Sequence, residues 1–127
     1  MALEHMVWLT PKAGVGNNKM EEILASIRSL THIPGVIAIS AGRNITERAN
    51  GATHGVLVTL ERAADLPDYL NHPDHQAVGV VLREHCEVLA LDYEREQISV
   101  RSPLRRFVAQ RPVEHCPPHG CRDHSLS

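Results

Sequence analysis

Along residues 2–9 of the chain, apolar residues recur at every second position, at Leu3, Val7 and Leu9, with His5 at the remaining place in the series. This period is typical of a β-strand, because successive side chains point to opposite faces of a sheet. Three further segments, 36–42, 54–60 and 87–93, are rich in Val, Ile, Leu and Ala and predict strands of similar length. On one side of the first strand a histidine stands among aliphatic residues: Leu3, His5, Val7 and Leu9.

Two longer segments follow a helical period instead. Apolar residues recur at intervals of three and four along residues 17–30, which predicts a helix with one buried stripe. Residues 73–85 predict a second helix that begins at Pro73, since proline is favoured at the first helical position. A shorter helix is expected over residues 63–70, interrupted at Pro67. The order β-α-β-β-α-β predicts an α+β, ferredoxin-like fold with an antiparallel four-stranded sheet.

This arrangement places the helices on one face of the sheet and leaves the other face uncovered. We expect the uncovered face to carry apolar side chains of the first and third strands together with two histidines, namely Leu3, His5, Val7, His54, Val56 and Val58. Such a surface is too apolar to remain in water. A second copy would cover it, which predicts a homodimeric α/β barrel with a ligand pocket between two sheets. Trp8, on the other side of the first strand, is expected to pack under a helix.

Composition narrows the classes of partner. The chain has 127 residues, enough for one domain, and its net charge of −2 argues against nucleic acid. No apolar run approaches the roughly 20 residues that a membrane span needs, and the N-terminus lacks the pattern of a secretory signal. Three cysteines do not make a disulfide framework, which fits a reducing compartment. We therefore expect a cytoplasmic protein without a membrane partner.

The chain changes character near residue 94. Residues 1–94 predict one domain with an acidic excess, whereas residues 95–127 are rich in arginine, proline and histidine. A segment of this composition buries too little surface to offset chain entropy, so we expect a mostly disordered tail. Four tail residues are of types that bind zinc: Cys116, His119, Cys121 and His124. Their spacing matches no structural zinc motif, and an unstructured tail is the alternative interpretation.

Residues 69–75, Tyr-Leu-Asn-His-Pro-Asp-His, concentrate candidate chemistry at the start of the second long helix. His75 lies in the first turn of that helix, and His72 and Tyr69 precede it. Histidine suits proton transfer near neutral pH because its ordinary pKa is about 6.5. Each residue also has a structural interpretation, with His75 as a capping or packing residue, His72 as a turn residue and Tyr69 as part of the core.

Five short motifs occur in order along residues 2–94 at compatible spacing. They are residues 5–8 (His-Met-Val-Trp), 33–36 (Ile-Pro-Gly-Val), 53–56 (Thr-His-Gly-Val), 69–75, and 91–94 (Leu-Asp-Tyr-Glu). With these motifs the chain resembles the stress-responsive dimeric α/β-barrel family, known as Dabb. The resemblance covers the predicted domain and none of the tail, and it implies a homodimeric barrel.

One member of that family closes a ring in a linear poly-β-keto thioester by aldol-type chemistry without a cofactor. Carried over residue by residue, the resemblance implies that His75 is a catalytic base and Tyr69 a catalytic hydrogen-bond donor. It also implies that His5 and His54 bind the substrate, and we expect His72 to contact it as well. His5 and His54 could equally be hydrogen-bonded histidines of the interior.

Other functions stay open. A non-enzymatic, stress-related protein that binds a small molecule would use the same pocket. Ser26 and Ile27 stand where the cyclising member has a tyrosine, which favours this second hypothesis. A cofactor-free monooxygenase is a third hypothesis, and it rests on fold analogy alone. We expect no organic cofactor, while the resemblance implies that backbone carbonyls of Leu30, Ile33 and Val36 hold a structural Mg²⁺.

Overall fold

A computed structural model describes residues 1–96 of the chain. Four strands and three α-helices follow one another as β1 (Leu3–Pro11), α1 (Asn17–Arg28), β2 (Val36–Arg43), β3 (His54–Leu60), α2 (Asp65–Asn71), α3 (Pro73–His85) and β4 (Cys86–Glu94). A short 3-10 helix (Ser29–His32) extends α1. These bounds confirm the predicted elements to within a few residues at each end. The predicted tail, with its cysteines and histidines, lies outside the described residues apart from its first two positions.

The helices follow from their sequences with one exception. The apolar stripe of α1 is buried as expected, at Met20, Ile23, Leu24 and Ile27. Pro67, however, does not interrupt α2. It is the third residue of that helix, where the backbone N–H has no partner within the helix, so proline costs no hydrogen bond there. Within residues 1–96, none of the helices has both the length and the apolar content needed to cross a membrane.

The four strands form one antiparallel sheet in the order β2-β3-β1-β4. The predicted fold class, ferredoxin-like with an antiparallel four-stranded sheet, is confirmed. In this register His5 of β1 lies opposite Val58 of β3 and Asp92 of β4. His54 lies opposite Leu9, at the other end of the pairing between β1 and β3.

The helices cover the face of the sheet that we expected to be open. The expected outer residues, Leu3, His5, Val7, His54, Val56 and Val58, are all buried. Most of them belong to the hydrophobic core, together with the stripe of α1. That expectation is therefore wrong. Alternation identifies the residues that share a face, but it does not say which face the helices cover when both faces carry apolar side chains.

The opposite face of the sheet carries large apolar side chains in contact with solvent. Trp8 pairs with Leu89, and Met6 pairs with Leu91, between β1 and β4. Trp8 is 40% exposed and Leu89 is 65% exposed, so the expected packing of Trp8 under a helix is wrong. We call this surface the outer strip, and it comprises Met6, Trp8, Leu57, Leu89, Leu91 and Tyr93.

A tight turn explains the motif at residues 33–36. Gly35 has φ +93°, a left-handed conformation that glycine adopts without strain. A side chain at this position would also meet the Cγ atom of Asp65 at 2.8 Å. The Gly35 carbonyl accepts a hydrogen bond from the Glu61 N–H at 2.9 Å. The turn thus fixes the entry of β2 beside the start of α2, the helix that carries Tyr69.

Candidate active site

The helix-covered side of the sheet encloses a cavity of about 210 Å³. Aliphatic side chains from the sheet and the helices form most of its lining. The polar side chains of the lining are His5, Tyr69, His75 and Arg83. All of these residues belong to one chain. The expectation of a pocket between the sheets of two subunits is therefore wrong for this cavity, which lies between the sheet and the helices of a single subunit.

The junction between α2 and α3 directs Tyr69 and His75 into this cavity. His72 ends α2 and caps α3, and its Nδ1 accepts a hydrogen bond from the Asp74 backbone N–H at 3.1 Å. Pro73 is the first residue of α3, as its sequence position predicted. The break between the helices brings the Tyr69 ring against the His75 ring, with centroids 4.6 Å apart.

A third ring extends this contact onto the sheet. The ring of His5, from β1, meets the edge of Tyr69 at a centroid distance of 5.9 Å and an interplanar angle of 67°. We call His5, Tyr69 and His75 the ring row. Its three members come from a strand and from two helices, so the fold itself holds them together. Imidazole rings, which can exchange protons, and a phenol ring, which can donate a hydrogen bond, thus share one largely apolar cavity.

His75 is held in its neutral form. Burial lowers the pKa of its imidazole below the ordinary value, and the neighbouring His5 ring lowers it further, while the Leu70 backbone partly opposes the change. Its Nδ1 atom is buried and has no hydrogen-bond partner among residues 1–96. A neutral imidazole has one unprotonated nitrogen, so His75 can accept a proton near neutral pH.

Tyr69 is the most deeply buried aromatic residue of the described chain and is only 1% exposed. Burial raises the pKa of its hydroxyl to about 12, because an ionised phenolate would be poorly solvated there. The hydroxyl therefore stays protonated at any ordinary pH. Tyr69 can donate a hydrogen bond to an oxygen atom of a bound molecule, and it does not act as a base.

His5 is oriented by a carboxylate. Its Nδ1 atom lies 2.5 Å from Oδ1 of Asp92, which is its partner across β1 and β4. An ionised carboxylate only accepts hydrogen bonds, so Nδ1 donates and Nε2 is the nitrogen left to meet a ligand. Orientation of an imidazole by a carboxylate in this way recurs in catalytic and metal-binding histidines.

His54 does not line this cavity. It lies four residue pairs along the sheet from the position of His5, roughly 13 Å away at the usual rise of a strand. Its Nδ1 lies 2.7 Å from Oγ1 of Thr53, and its Nε2 is buried without a partner in the described chain. Burial lowers the pKa of His54, with Glu21 opposing and Arg43 adding to the change. Its position does not support the predicted contact with a substrate in this cavity.

His72 also lies outside the lining of the cavity. Its ring packs edge-on against the ring of His32, with centroids 5.8 Å apart, on the outer side of the junction. The sequence interpretation of His72 was a turn residue, and the structure adds that it caps α3. The predicted substrate contact of His72 is therefore not supported by where its ring lies.

Comparison with known proteins assigns the fold to a family. The model of the Stress responsive A/B Barrel Domain, Dabb, matches residues 3–95. The chain belongs to the Dabb family. Olivetolic acid cyclase of Cannabis sativa is 32% identical in an alignment 97 residues long that covers 73% of this chain and 96% of that protein. The family resemblance inferred from the five motifs is thus confirmed.

Solved structures share the fold of this Dabb chain. A dimeric ferredoxin-like protein of unknown function from Jannaschia sp. CCS1 is 27% identical, with a TM-score of 0.67 over 75% of this chain and 100% of that chain. Hydroxynitrile lyase from Passiflora edulis is 20% identical, with a TM-score of 0.68 over 77% of this chain and 97% of that chain. At that identity, the second likeness concerns the fold alone.

Sequence reasoning missed several residues of the Dabb cavity. Asp92 does not line the cavity but orients His5, and the sequence alone does not reveal this contact, because it exists only where β4 pairs with β1. Gly79 and Arg83 line the cavity from α3, four and eight residues after His75. That helical spacing was readable from the sequence and could have identified them. Ile27 of α1 also lines the cavity.

Two of the three backbone carbonyl groups in the predicted cation site already accept hydrogen bonds. The Leu30 carbonyl accepts from the Ile33 N–H at 3.2 Å, and the Ile33 carbonyl accepts from the Val36 N–H at 3.1 Å. Each carbonyl oxygen has a second lone pair, so these bonds neither form nor exclude a Mg²⁺ site. The site stays a prediction from the family resemblance.

Proposed function

We propose that this Dabb protein is a cofactor-free cyclase that closes a ring in a short poly-β-keto thioester or a similar β-dicarbonyl compound. The observation that carries the proposal is the ring row, which places a neutral imidazole and a protonated phenol side by side in one apolar cavity. Identity of 32% with olivetolic acid cyclase over nearly the whole of that protein supports a cyclase activity.

The first step is removal of a proton by His75. The hydrogen of a carbon between two carbonyl groups is acidic enough for a neutral imidazole to accept it. Negative charge then develops on the carbonyl oxygen as an enolate forms. The hydroxyl of Tyr69 donates a hydrogen bond to that oxygen, and the apolar surroundings strengthen this interaction because water does not compete for it. His5, whose Nδ1 donates to Asp92, presents Nε2 as an acceptor for an enol hydroxyl of the substrate.

Ring closure restores both catalytic groups. The enolate carbon forms a bond to a second carbonyl carbon, and the π bond of that carbonyl breaks to give an alkoxide. The His75 imidazolium returns its proton to the alkoxide, so the imidazole is neutral again. Atoms and electrons balance without an oxidant or a cofactor. Folding of a linear substrate in the cavity supplies the proximity that a reaction in water lacks.

The cavity limits the class of substrate. A volume of about 210 Å³ lies below the usual range for ligands of drug size, roughly 300–1,000 Å³. Its aliphatic lining favours a compact substrate with a small apolar substituent. Ile27 contributes no hydroxyl group, so one hydrogen bond available to a tyrosine at this place is missing. We therefore propose a substrate that is shorter or less oxygenated than a long polyketide.

We propose further that the outer strip is the interface of a homodimer. Trp8, Leu89 and Leu91 are 40%, 65% and 60% exposed on one face of the sheet, which is costly in water. A related structure of 27% identity is described as dimeric, which supports pairing of these faces. A cytoplasmic location and a link to stress are proposals that rest on composition and on the family.

The test is turnover of poly-β-keto thioesters by the full-length protein and its variants. His75→Gln, which removes the base, is expected to lower kcat/KM by about 10² to 10⁴. Tyr69→Phe, which removes the hydrogen-bond donor, should lower it by less. The matched controls are His85→Gln, at the C-terminal end of α3, and Tyr93→Phe, on the outer strip. Neither residue lines the cavity. Full turnover in both cavity variants would refute the mechanism.

The same assay separates the non-enzymatic alternative, which the presence of Ile27 favours. A protein that only binds would give saturable binding of a β-keto thioester, lost in Tyr69→Phe or His75→Gln, without any turnover. A monooxygenase would consume O₂ with an electron-rich aromatic substrate, whereas the proposed cyclase is indifferent to oxygen. Either result would replace the cyclase proposal.

A further inference from the structure

A second group of polar side chains lies on the outer side of the α2–α3 junction. His32 belongs to the 3-10 helix, His72 lies between α2 and α3, and Asp74 is the second residue of α3. One ligand atom from each residue lies within 4.8 Å of the other two. None of these residues lines the cavity described above. The proposed function leaves the group unused.

His32 has the orientation of a metal ligand. Its Nδ1 lies 3.1 Å from the Ser29 carbonyl oxygen, to which it donates, and its Nε2 points at Oδ2 of Asp74 at 2.8 Å. A histidine that binds a metal through one nitrogen commonly donates the other N–H to a backbone carbonyl, which fixes the ring. In His32 that supporting bond already exists, while Nε2 donates to the Asp74 carboxylate, so a bound metal would take the place of the proton between them.

His72 is also held in place, but by a bond that a metal would replace. Its Nδ1 accepts the hydrogen bond from the Asp74 N–H that caps α3. A neutral imidazole has a single unprotonated nitrogen. Binding of a metal at either ring nitrogen therefore removes this capping bond. Metal binding should accordingly be visible at the backbone of Asp74.

We propose that His32, His72 and Asp74 form a binding site for a divalent transition metal such as Zn²⁺. Two imidazole nitrogens and one carboxylate oxygen are a donor set that such ions accept, with water in the fourth position. Ligand atoms around tetrahedral zinc lie about 3.3 Å apart. His32 and Asp74 are more than half exposed at their side chains, so they have room to close in on an ion.

A metal bound at this site would restrict movement of the segment that forms one wall of the cavity. His72 is three residues from both Tyr69 and His75, so a metal bound there links the 3-10 helix to the segment that carries two members of the ring row. This inference does not depend on the proposed cyclase activity. It depends only on the geometry of three side chains outside the cavity.

The experiment is calorimetric titration of untagged, full-length protein with Zn²⁺, comparing the wild type with the double variant His32→Gln, Asp74→Asn. His85→Gln is the matched control, since it removes a half-buried histidine of α3 that is not part of the site. We expect the double variant to bind one Zn²⁺ fewer per chain, or to bind it at least roughly tenfold more weakly. About tenfold is the smallest loss of metal affinity expected from removing even a residue that only supports a ligand. His85→Gln should bind like the wild type.

Two further readouts exclude the tail as the source of binding. Binding by Cys116 and Cys121 would contribute equally to all variants, and Co²⁺ in place of Zn²⁺ would give a thiolate charge-transfer band. For the proposed site we expect the NMR signal of the Asp74 amide in the wild type to shift on addition of Zn²⁺. Any thiolate band seen with Co²⁺ should be equally strong in the wild type and in the double variant. Equal Zn²⁺ stoichiometry and affinity in the wild type and the double variant would overturn the proposal.

Discussion

His75 and Tyr69 touch one another, and burial changes their pKa values in opposite directions. It lowers the pKa of the imidazole and raises that of the phenol to about 12. The charged form of each group is the one that loses solvation, so both stay neutral across the physiological range. A neutral base beside a neutral hydrogen-bond donor is the combination that enolate formation needs.

This pair predicts the pH dependence of turnover. Activity should rise with pH as His75 loses its proton, with a midpoint below 6.5 because its pKa is lowered. It should then stay level through the mildly alkaline range, because Tyr69 keeps its proton. The measurement is kcat/KM with a β-keto thioester as a function of pH. A midpoint above 6.5, or a fall in activity between neutral and mildly alkaline pH that Tyr69→Phe abolishes, would contradict the assignment.

Helix α3 shows what the sequence could and could not predict at the scale of an element. Proline at its start and the candidate base in its first turn were predictable from local rules, and both are where expected. The continuation of the same face to Gly79 and Arg83 was encoded in the helical period. The contact between His5 and Asp92 was not predictable, because it joins residues 87 positions apart through strand pairing.

Gly79 gives a prediction at the scale of this helix. A Cβ atom there would meet Nη1 of Arg83 at 3.1 Å, the end of a flexible side chain that can move. Gly79→Ala should therefore retain or raise thermal stability, since alanine favours a helix by up to about 1 kcal/mol over glycine. It should also narrow the cavity and raise KM several-fold. Thermal denaturation and steady-state kinetics measure the two effects.

Ala77→Gly is the control for that variant, because it makes the reverse substitution on the same helix at a position outside the cavity. Ala77 is exposed on the same helix and does not line the cavity. It should lower stability by a similar amount and leave KM unchanged. If Gly79→Ala leaves KM unchanged, or if both variants change it equally, α3 does not form the wall of the substrate site.

At the scale of the whole molecule, the sheet has two apolar faces with different uses. The face with Leu3 and Val7 packs against the helices, while the face with Trp8 and Leu89 meets solvent in the single chain. The sequence predicted an apolar face that needs a partner, but it assigned the wrong residues to it. Side-chain alternation alone could not decide, because both sets contain large apolar residues. The cavity needs only one subunit, so assembly and catalysis can be tested separately.

Dimer formation is tested by Leu89→Glu. The side chain is 65% exposed in the single chain, so a carboxylate there should not disturb folding but should repel a second copy. Sedimentation should give about twice the chain mass of 14.1 kDa for the wild type and one chain mass for the variant. Ile45→Glu, at a loop residue that is 90% exposed, is the matched control and should stay dimeric. A monomeric wild type at micromolar concentration would remove the proposed interface.

Hydrogen exchange at the substrate isolates the proton transfer assigned to His75 from the later ring closure. In D₂O, NMR follows loss of the methylene protons of an acetoacetyl thioester, a compound too short to form a ring. The wild type and His85→Gln should accelerate this exchange over buffer, and His75→Gln should lower the acceleration by about 10² or more. Exchange at the buffer rate with the wild type, or equal acceleration by His75→Gln, would contradict the assignment of His75 as the base.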